Sequence, residues 1–286
     1  MSDNSIIDLT GKESIVCKLI EAIEHACGWV VNHDTPDRIA LRTYIEDIQN
    51  SAYSPLEKAA LISNAKATIK GYKNQLSIVG KASELISEDA NPEQVEEDWL
   101  TQFMDKARFV SDEEIQLIWS KLLAAEFNEH NSVPKSLLFT LEKMSKEDAL
   151  NFVDICRVSV RIDRKYFPII IESRFRNNDY RPYNITFDSL KQLEAIGLIS
   201  SAIDNMADYA TSEEDLFGND QAIAHYFEHK YMFPVGLHEI AVGKVLFTKD
   251  GDALCKAIEC SEHDSLWEDF LYPWFEEKSN QANINA

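Results

Sequence analysis

Glycine and basic residues are both scarce in this chain. It has 9 glycines in 286 residues, and 49 acidic residues stand against 28 basic ones, for a net charge of −21. Scarce glycine favours long helices joined by polar turns. The deficit of positive charge means that most of the surface repels a phosphate backbone. The composition therefore predicts a helical protein and makes DNA an unlikely partner.

Long apolar runs and regularly spaced cysteines are lacking as well. No apolar run approaches the roughly 20 residues that cross a bilayer, and the segment MSDNSIIDLTGKES has no basic stretch followed by an apolar core. The five cysteines are odd in number and scattered, as is usual for reduced thiols. We therefore expect a soluble cytoplasmic protein with no membrane association.

Sequence motifs for catalysis and phosphate binding are also missing. There is no G-x-x-x-x-G-K-[ST], no G-x-G-x-x-G and no G-x-S-x-G. His225 and His229 have the i, i+4 spacing of helical zinc ligands, but their segment has strand character, which would separate them by roughly 13 Å. We expect no catalytic residue, no cofactor and no metal site, and a non-enzymatic role rather than an enzymatic one.

One short motif keeps a metal-dependent nuclease open as a second alternative. Glu228, His229 and Lys230 form an E-x-K sequence, with Asp215 or Asp220 upstream as a third member. In such nucleases the carboxylates hold Mg²⁺ and the lysine stabilises developing charge. Three residues recur often by chance, and a solvated strand edge is the competing interpretation.

Capped amphipathic helices are the strongest feature that is present. Ser111 stands at an N-cap position with Glu114 three residues on, which predicts a capping box. Apolar residues recur after it at helical spacing: Ile115, Ile118, Trp119, Leu122, Leu123 and Phe127. The opposite face is polar: Asp112, Glu113, Gln116 and Lys121. Four further N-terminal signals mark helices, at Thr35-Pro36, Ser54-Pro55, Asn91-Pro92 and Ser145. We expect Trp119 and Leu122 to lie in a core.

The pattern changes after about residue 166. FPIIIESRF predicts a strand, Thr186 and Gly197 bound a helix, and HYFEHKYMFPV with KVLFT predicts a hairpin. The order of elements from Ser145 is typical of a winged-helix module. We predict a mainly α protein in which a helical domain (1–144) precedes a winged-helix-like α+β domain (145–278), whose first helix runs to Val160, and a disordered tail (279–286).

Four segments carry a resemblance to a known family: WLTQFMDKARFVSDEEIQLIWSKLLAAEF, SKEDALNFVDIC, LKQLEAIGLI and LFTKDGDAL. Over roughly residues 70–260 they resemble a bacterial family of domain of unknown function 2806, and more loosely the abortive-infection alpha-type proteins. Trp99, Trp119 and Glu126 match the motif, whereas NEHNSVPKSLL departs from it. The resemblance implies a helical part followed by a winged-helix-like part. It brings no known reaction, and its looser relatives suggest anti-phage defence.

Positive charge is concentrated in one segment. Residues 157–181 hold seven basic and three acidic residues, whereas residues 200–286 hold 17 acidic and five basic ones. We predict a basic docking patch for an acidic surface of the same chain or of a partner: Arg157, Arg161, Arg164, Lys165, Arg174 and Arg176. A solvated face is the alternative.

Aromatic residues are concentrated in the last predicted helix, Asp264–Lys278. Trp267, Phe270 and Trp274 lie at i, i+3 and i+7, a spacing that predicts an anchor for a partner or for a second copy of the chain. The alternative is that this helix packs back on its own domain.

These features favour a protein that acts through protein–protein contacts, with anti-phage defence as the suggested setting. The runner-up is a nucleic-acid-associated winged-helix regulator whose basic segment, Arg157–Arg181, contacts phosphate. Its candidate recognition helix, Phe187–Ile196, offers Lys191 and Gln192 but also Asp188 and Glu194, so its net charge opposes phosphate contacts.

Overall fold

A computed structural model of the chain describes residues 13–28, 38–203, 209–211, 222–234 and 240–285. It is mostly helical with small antiparallel sheets, which confirms the mainly α prediction. The chain divides into two compact units, Met1–Leu138 and Phe139–Ala286, six residues before the predicted boundary at 144/145. The helix start predicted at Thr35-Pro36 lies outside the described residues. None of the helices in the described segments has the length and apolarity needed to cross a membrane.

Unit 1 is built from helices. They are α1 (Glu13–Cys27), α2 (Arg38–Asn50), α3 (Pro55–Leu85), α4 (Glu97–Ala107) and α5 (Glu113–Asn128), and α6 (Lys135–Lys143) begins in this unit and ends in unit 2. The helix start predicted at Ser54-Pro55 is confirmed. Ser54 forms a capping box, in which its hydroxyl accepts from the Glu57 amide at 3.4 Å. The signal at Asn91 opens only a 3-10 turn, Pro92–Gln94, without a side-chain cap.

The cap of α5 differs from the prediction by one residue. Asp112, not Ser111, is the N-cap, and its carboxylate accepts from the amides of Glu114 at 2.9 Å and Ile115 at 3.2 Å. The Ser111 hydroxyl instead accepts from Asn74 on α3 at 3.2 Å. Asp112 is the N-cap because its carboxylate reaches both orphan amides. Its negative charge is also stabilised by the positive end of the helix dipole.

Packing of α3 on α5 explains which face of α5 is buried. Trp119 and Leu122 are 1% and 0% exposed, which confirms their predicted core positions. Gln116 was predicted on the polar face but is buried, because α3 covers it. Its side-chain oxygen accepts from Ser77 at 2.8 Å and from Lys81 at 3.0 Å. A buried amide is tolerated here because hydrogen bonds replace the lost water.

Unit 2 combines helices with short antiparallel strands. Its elements are α7 (Lys146–Cys156), β1 (Ser159–Ile162), β2 (Lys165–Pro168), α8 (Glu172–Arg176), α9 (Phe187–Ile196), β3 (Ile199–Ser201), β4 (Tyr209–Ala210), β5 (Ile223–Tyr226), β6 (His229–Met232), β7 (Ala241–Gly243), β8 (Val245–Phe247), α10 (Lys249–Ala257) and α11 (Tyr272–Asn285), with a π-helical turn at Trp267–Leu271. Four strands form one sheet in the order β2-β1-β5-β6, and β3 pairs with β8 and β4 with β7.

Several predicted elements of unit 2 are confirmed and others are corrected. Ser145 and Thr186 cap α7 and α9, and Gly197 ends α9 with a φ of 89°. The helix predicted to run to Val160 ends at Cys156, because β1 pairs there with β2. The predicted hairpin is also wrong in its partners: β5 and β6 pair with each other, and β8 pairs with β3.

One face of the four-stranded sheet is covered by the C-terminal segment. The Trp267 ring stacks on Tyr226 of β5, with centroids 6.2 Å apart and planes 5° from parallel. Tyr231 of β6 lies 5.3 Å from Phe275 and its hydroxyl bonds to Ser279 at 2.9 Å. Helix α11 continues to Asn285, so the structure differs from the predicted tail boundary at residue 279.

Candidate functional site

A row of four side chains crosses the other face of this sheet. The strand register places Tyr166 opposite Arg161, Arg161 opposite His225, and His225 opposite Lys230. Directly opposed residues of antiparallel strands project to the same face, about 5 Å apart at Cβ. With strands spaced about 4.8 Å apart, Arg161 and Lys230 lie roughly 10 Å from each other. The sheet therefore aligns an aromatic ring, a guanidinium, an imidazole and an ammonium group. We call these four residues the cationic row.

The cationic row faces away from the core of the sheet. Val160, Ile162, Ala224 and Tyr226 alternate with its members along β1 and β5 and are all buried on the opposite face. Within the row, Arg161, Tyr166 and His225 are half-buried and Lys230 is exposed. Period-two alternation thus separates a buried apolar face from an accessible charged one.

No carboxylate neutralises the row within the described part of the chain. Arg161 donates to the backbone carbonyl of Asp163 at 3.4 Å, and neither His225 nor Lys230 takes part in an ion pair there. Burial lowers the pKa of His225, and the positive charges of Arg161 and Lys230 lower it further. An anion at this face would be attracted by the positive charges of Arg161 and Lys230.

Three of the described acidic residues stand next to members of the row: Asp252, Asp163 and Glu228. Asp252 of α10 accepts from the Tyr166 amide at 3.0 Å and pairs with Lys256 at 2.6 Å. Asp163 and Glu228 occupy the β1–β2 and β5–β6 turns, which lie at opposite ends of the sheet. Within the described segments, no carboxylate therefore forms an ion pair with Arg161, His225 or Lys230.

Apolar side chains continue the same face beyond the row. Ile223 and Met232 oppose each other two residues along from His225 and Lys230, so they share the face of the row. Met232 is 64% exposed. The accessible face thus combines positive charge with an apolar end, the composition of many protein interfaces.

The structure divides the predicted basic patch. The guanidinium of Arg157 donates to the carbonyls of Ser261 at 3.0 Å and Glu262 at 3.5 Å, and that of Arg174 lies 3.9 Å from the centre of the Phe270 ring. These two arginines hold the C-terminal segment of their own unit.

The other four predicted basic residues are Arg161, Arg164, Lys165 and Arg176. Arg176 pairs with Glu172 at 2.6 Å. Arg164 and Lys165 are exposed in the β1–β2 turn and at the start of β2. Arg161 is the only predicted patch residue that joins the cationic row.

The predicted aromatic anchor is packed inside unit 2. Trp267, Phe270 and Trp274 are 6%, 4% and 8% exposed. Trp267 also stacks on His229, with ring centroids 5.0 Å apart. The alternative of packing on its own domain accounts for these contacts. Binding of a partner by these rings stays a prediction and would require the segment to leave the sheet.

The structure separates the two histidines of the zinc hypothesis, whereas the E-x-K hypothesis stays a prediction. His225 and His229 lie on paired strands but project to opposite faces, since His225 joins the row and His229 stacks on Trp267. Asp215 and Asp220 lie outside the described residues. Among the residues described, no three metal-binding side chains lie together.

Helix α9 uses its polar side chains within unit 2. Lys191 pairs with Glu194 at 3.1 Å, and Gln192 accepts from Asn151 of α7 at 3.2 Å. Glu194 also accepts from the Ser201 amide at 2.9 Å. The two side chains proposed to read a DNA groove are therefore engaged in intramolecular bonds.

The residues that match the family motif have structural roles. Glu126 is buried, and its two oxygens accept from the amides of Asn131 at 2.8 Å and Val133 at 2.9 Å. Trp99 donates from its ring nitrogen to the Val133 carbonyl at 2.9 Å. Together they hold the turn between α5 and α6.

Sequence reasoning missed His225 and Lys230 as partners of Arg161. The alternation in the segment 223–232 was a usable signal, because a two-residue turn at Phe227-Glu228 places His225 and Lys230 on one face. The pairing of β1 with β5 had no local signal, since about 60 residues separate the two strands.

One family model matches a range of the chain that includes parts of both units. The family model described as Protein of unknown function (DUF2806) matches residues 64–270. Neither a curated protein nor a solved structure matches the chain. The matched range contains the helices of the motif and all four strands of the sheet. The predicted likeness to this family is confirmed, while the looser likeness to abortive-infection proteins stays a prediction.

Proposed function

The chain belongs to the DUF2806 family, and we propose that it acts by binding an acidic segment of a partner protein on the exposed sheet face of unit 2. The observation that carries this proposal is the cationic row, in which Arg161, His225 and Lys230 have no carboxylate partner among the described residues. Exposed Met232 supplies an apolar contact beside the charges. The role is one of binding, without a chemical step.

Charge and size favour a protein segment over a nucleic acid. The row extends roughly 10 Å, so it has room for one or two anionic groups but not for a long run of phosphates. At distances beyond the Debye length, about 8 Å at physiological salt, dissolved ions screen the charges of the row. The row therefore contributes little to the attraction of a ligand from further away. A polyanion that extended further would meet a chain of net charge −21.

We also infer a winged-helix-like arrangement within unit 2. Its support is the order of α7, α9, β3, β8 and α10, in which the paired strands β3 and β8 follow α9 and are separated in the sequence by residues 202–244. Lys191 and Gln192 are engaged within the unit. The proposed role of this module is therefore protein binding rather than DNA reading.

A nucleic-acid-associated regulator is the second candidate, and Tyr166 is the observation in its favour. An aromatic ring in line with cations is a recurrent platform for single-stranded nucleic acid, where bases stack on the ring. The net charge of −21 and the short row make it the weaker of the two.

The test reverses charge in the row. Arg161→Glu combined with Lys230→Glu should release proteins that co-purify with the wild-type chain, whereas Arg181→Glu, exposed outside the sheet, should retain them. Carbodiimide cross-linking should join Lys230 to a carboxylate of the same partner. Identical co-purification with both variants would refute the proposal.

A parallel measurement addresses the second candidate. A labelled single-stranded oligonucleotide is titrated with the wild type and the double variant at about 150 mM salt. Binding by the wild type that the double variant loses would favour the nucleic-acid role instead. Anti-phage defence and a cytoplasmic location stay predictions, to be examined by plaque counts with and without the gene and by cell fractionation.

A further inference from the structure

We propose that the cationic row is a receptor for a phosphate monoester, carried as a phosphorylated side chain on the partner segment. Arg161, His225 and Lys230 are its three donors. This inference rests on the proposed function and names the chemical group that the sheet face recognises. Two other candidates carry less: Cys156 and Cys255 are buried free thiols, and the aromatic rings near Trp267 are already packed.

Geometry favours a tetrahedral anion at this position. His225 is the short, central side chain of the row, and the longer Arg161 and Lys230 flank it on neighbouring strands. An anion resting over the imidazole therefore receives one donor from below and one from each side. A phosphate monoester presents three terminal oxygens to three donors, whereas a carboxylate presents two.

Charge favours the same group. A phosphorylated side chain carries about −1.5 to −2 charges at pH 7, while a carboxylate carries one. Arg161 and Lys230 supply two positive charges, and His225 supplies a third when it takes up a proton. A dianion matches the two permanent positive charges of Arg161 and Lys230.

The groups around His225 decide how it responds to a ligand. Arg161 and Lys230 face it from β1 and β6, and both lower its pKa in addition to the larger effect of burial. From the next strand and helix come Tyr166 and the paired Asp252 and Lys256. The free protein therefore holds His225 neutral at pH 7, ready to accept a proton.

Binding of a dianion reverses that balance. Negative charge beside the imidazole raises the pKa of His225, so the complex takes up a proton that the free protein lacks. Affinity should then increase as the pH falls from about 8 towards about 6.5. Below about pH 6 the phosphate itself becomes a monoanion and the gain should stop. A carboxylate ligand has a pKa of about 4 and stays ionised at pH 6, so its gain in affinity should not stop there.

The experiment compares two probes that differ only in the anionic group. Phenyl phosphate and benzoate are titrated into the full chain while NMR follows the imidazole C–H signal of His225, which is assigned by its absence in His225→Gln. Phenyl phosphate should shift this signal with a Kd on the order of 1 mM. It should also raise the midpoint pH of the signal and bind at least about tenfold tighter than benzoate.

Variants separate a site from general charge. Arg161→Gln and Lys230→Gln should each weaken phenyl phosphate by about tenfold, the typical effect of losing one charge-assisted bond. Arg181→Gln makes the same change of charge outside the sheet and should leave the affinity unchanged. Thermal unfolding of each variant shows whether its fold is intact, and His225→Gln, which keeps a polar side chain, serves if a charge variant is unfolded.

The outcomes distinguish this inference from the function on which it rests. Equal affinity for phenyl phosphate and benzoate, with both lost in Arg161→Gln, would overturn the phosphate inference while supporting an acidic partner. The phosphate inference would also be overturned if Arg181→Gln weakened phenyl phosphate binding as much as Arg161→Gln does. A His225 signal that neither probe moves would overturn both.

Discussion

At the scale of single residues, two tryptophans of the same motif differ in one bond. Trp99 and Trp119 are 2% and 1% exposed, and each packs against Phe103, with centroids 5.1 and 5.0 Å away. The ring nitrogen of Trp99 donates to Val133, whereas that of Trp119 has no hydrogen-bond partner in the described structure. The first ring contributes packing and a hydrogen bond, and the second contributes packing alone.

This difference predicts how substitutions rank. Trp119→Ala should lower the free energy of unfolding by about 3–5 kcal/mol, because a large ring leaves a cavity. Trp119→Phe should cost less than Trp99→Phe, since only the latter leaves the Val133 carbonyl without its donor, at about 1–3 kcal/mol. Urea unfolding of the three variants provides the comparison. Overlapping melts of Trp119→Ala and wild type would exclude a core position.

Glu126 leads to a prediction about pH. Burial raises the pKa of its carboxyl, and the amides of Val133 and Asn131 oppose this with a smaller lowering. A folded-state pKa above the unfolded value of about 4.3 means that the stabilisation is complete at lower pH and declines as the pH rises through the folded pKa. The stability advantage of the wild type over Glu126→Gln should therefore shrink as the pH rises above about 4.3 in urea melts. An advantage that grows with pH would mean that the two amide bonds outweigh burial.

At the scale of elements, α10 packs directly against the backbone of Leu198, the residue that precedes β3. A Cβ added to Gly251 would stand 1.9 Å from the Leu198 carbonyl oxygen. The Thr248 hydroxyl caps α10 and donates to the carbonyls of Gly197 and Leu198 at 2.7 and 3.2 Å. This approach of helix to backbone needs a residue without a side chain.

Gly251 and Gly197 therefore predict different costs when each is replaced by alanine. Gly251→Ala should destabilise unit 2 by about 3 kcal/mol or more, because a backbone carbonyl cannot rotate away from an added methyl group. Gly197→Ala meets no atom within 4 Å but keeps a φ of 89°, so it should cost only about 1 kcal/mol. Thermal unfolding measures both. Equal losses would show that α10 moves to accept the methyl group.

The C-terminal segment predicts the effect of a truncation. Trp267 stacks on Tyr226, and Phe275 packs on Tyr231, so the segment covers one face of the sheet. Deletion of residues 264–286 should expose that apolar face to water. Unit 2 should then lose the near-UV circular dichroism signal of its folded state and become less soluble. A truncated chain that stays folded but has a smaller oligomeric mass, or loses a co-purifying protein, would instead assign the segment to an interface.

At the scale of the whole molecule, negative charge dominates and positive charge is local. The net charge is −21, while seven basic residues lie between positions 157 and 181. The folded chain then divides even this segment, since Arg157, Arg174 and Arg176 make contacts within unit 2. Only a small surface is left for an anion.

This distribution predicts weak binding of duplex DNA. The chain should bind a duplex no better than an unrelated acidic protein does at about 150 mM salt, where few phosphate contacts give little affinity. Lys191 and Gln192, on the helix that would enter a groove, are engaged within the unit. Fluorescence anisotropy with a labelled duplex provides the measurement. Sub-micromolar affinity would reverse the preference for a protein partner.

The sequence by itself determined the local elements of this protein. Ser54, Ser145, Thr186 and Gly197 bound helices where their side chains or backbone predict, because caps satisfy orphan amides within a few residues. Trp119 lies in the core because helical periodicity is also a local property. Where sequence reasoning failed locally, as at Ser111, a neighbour able to form the same bonds replaced the predicted residue.

Only the tertiary structure decided which distant residues meet. Arg161 and His225 are separated by 64 positions, and their contact depends on the pairing of β1 with β5, which no local pattern encodes. The same holds for Trp267, whose spacing is equally that of an interface and of a core until Tyr226 is placed beneath it. Long-range pairing is a property of the whole chain, because each contact is stable only when the elements on both sides are already formed.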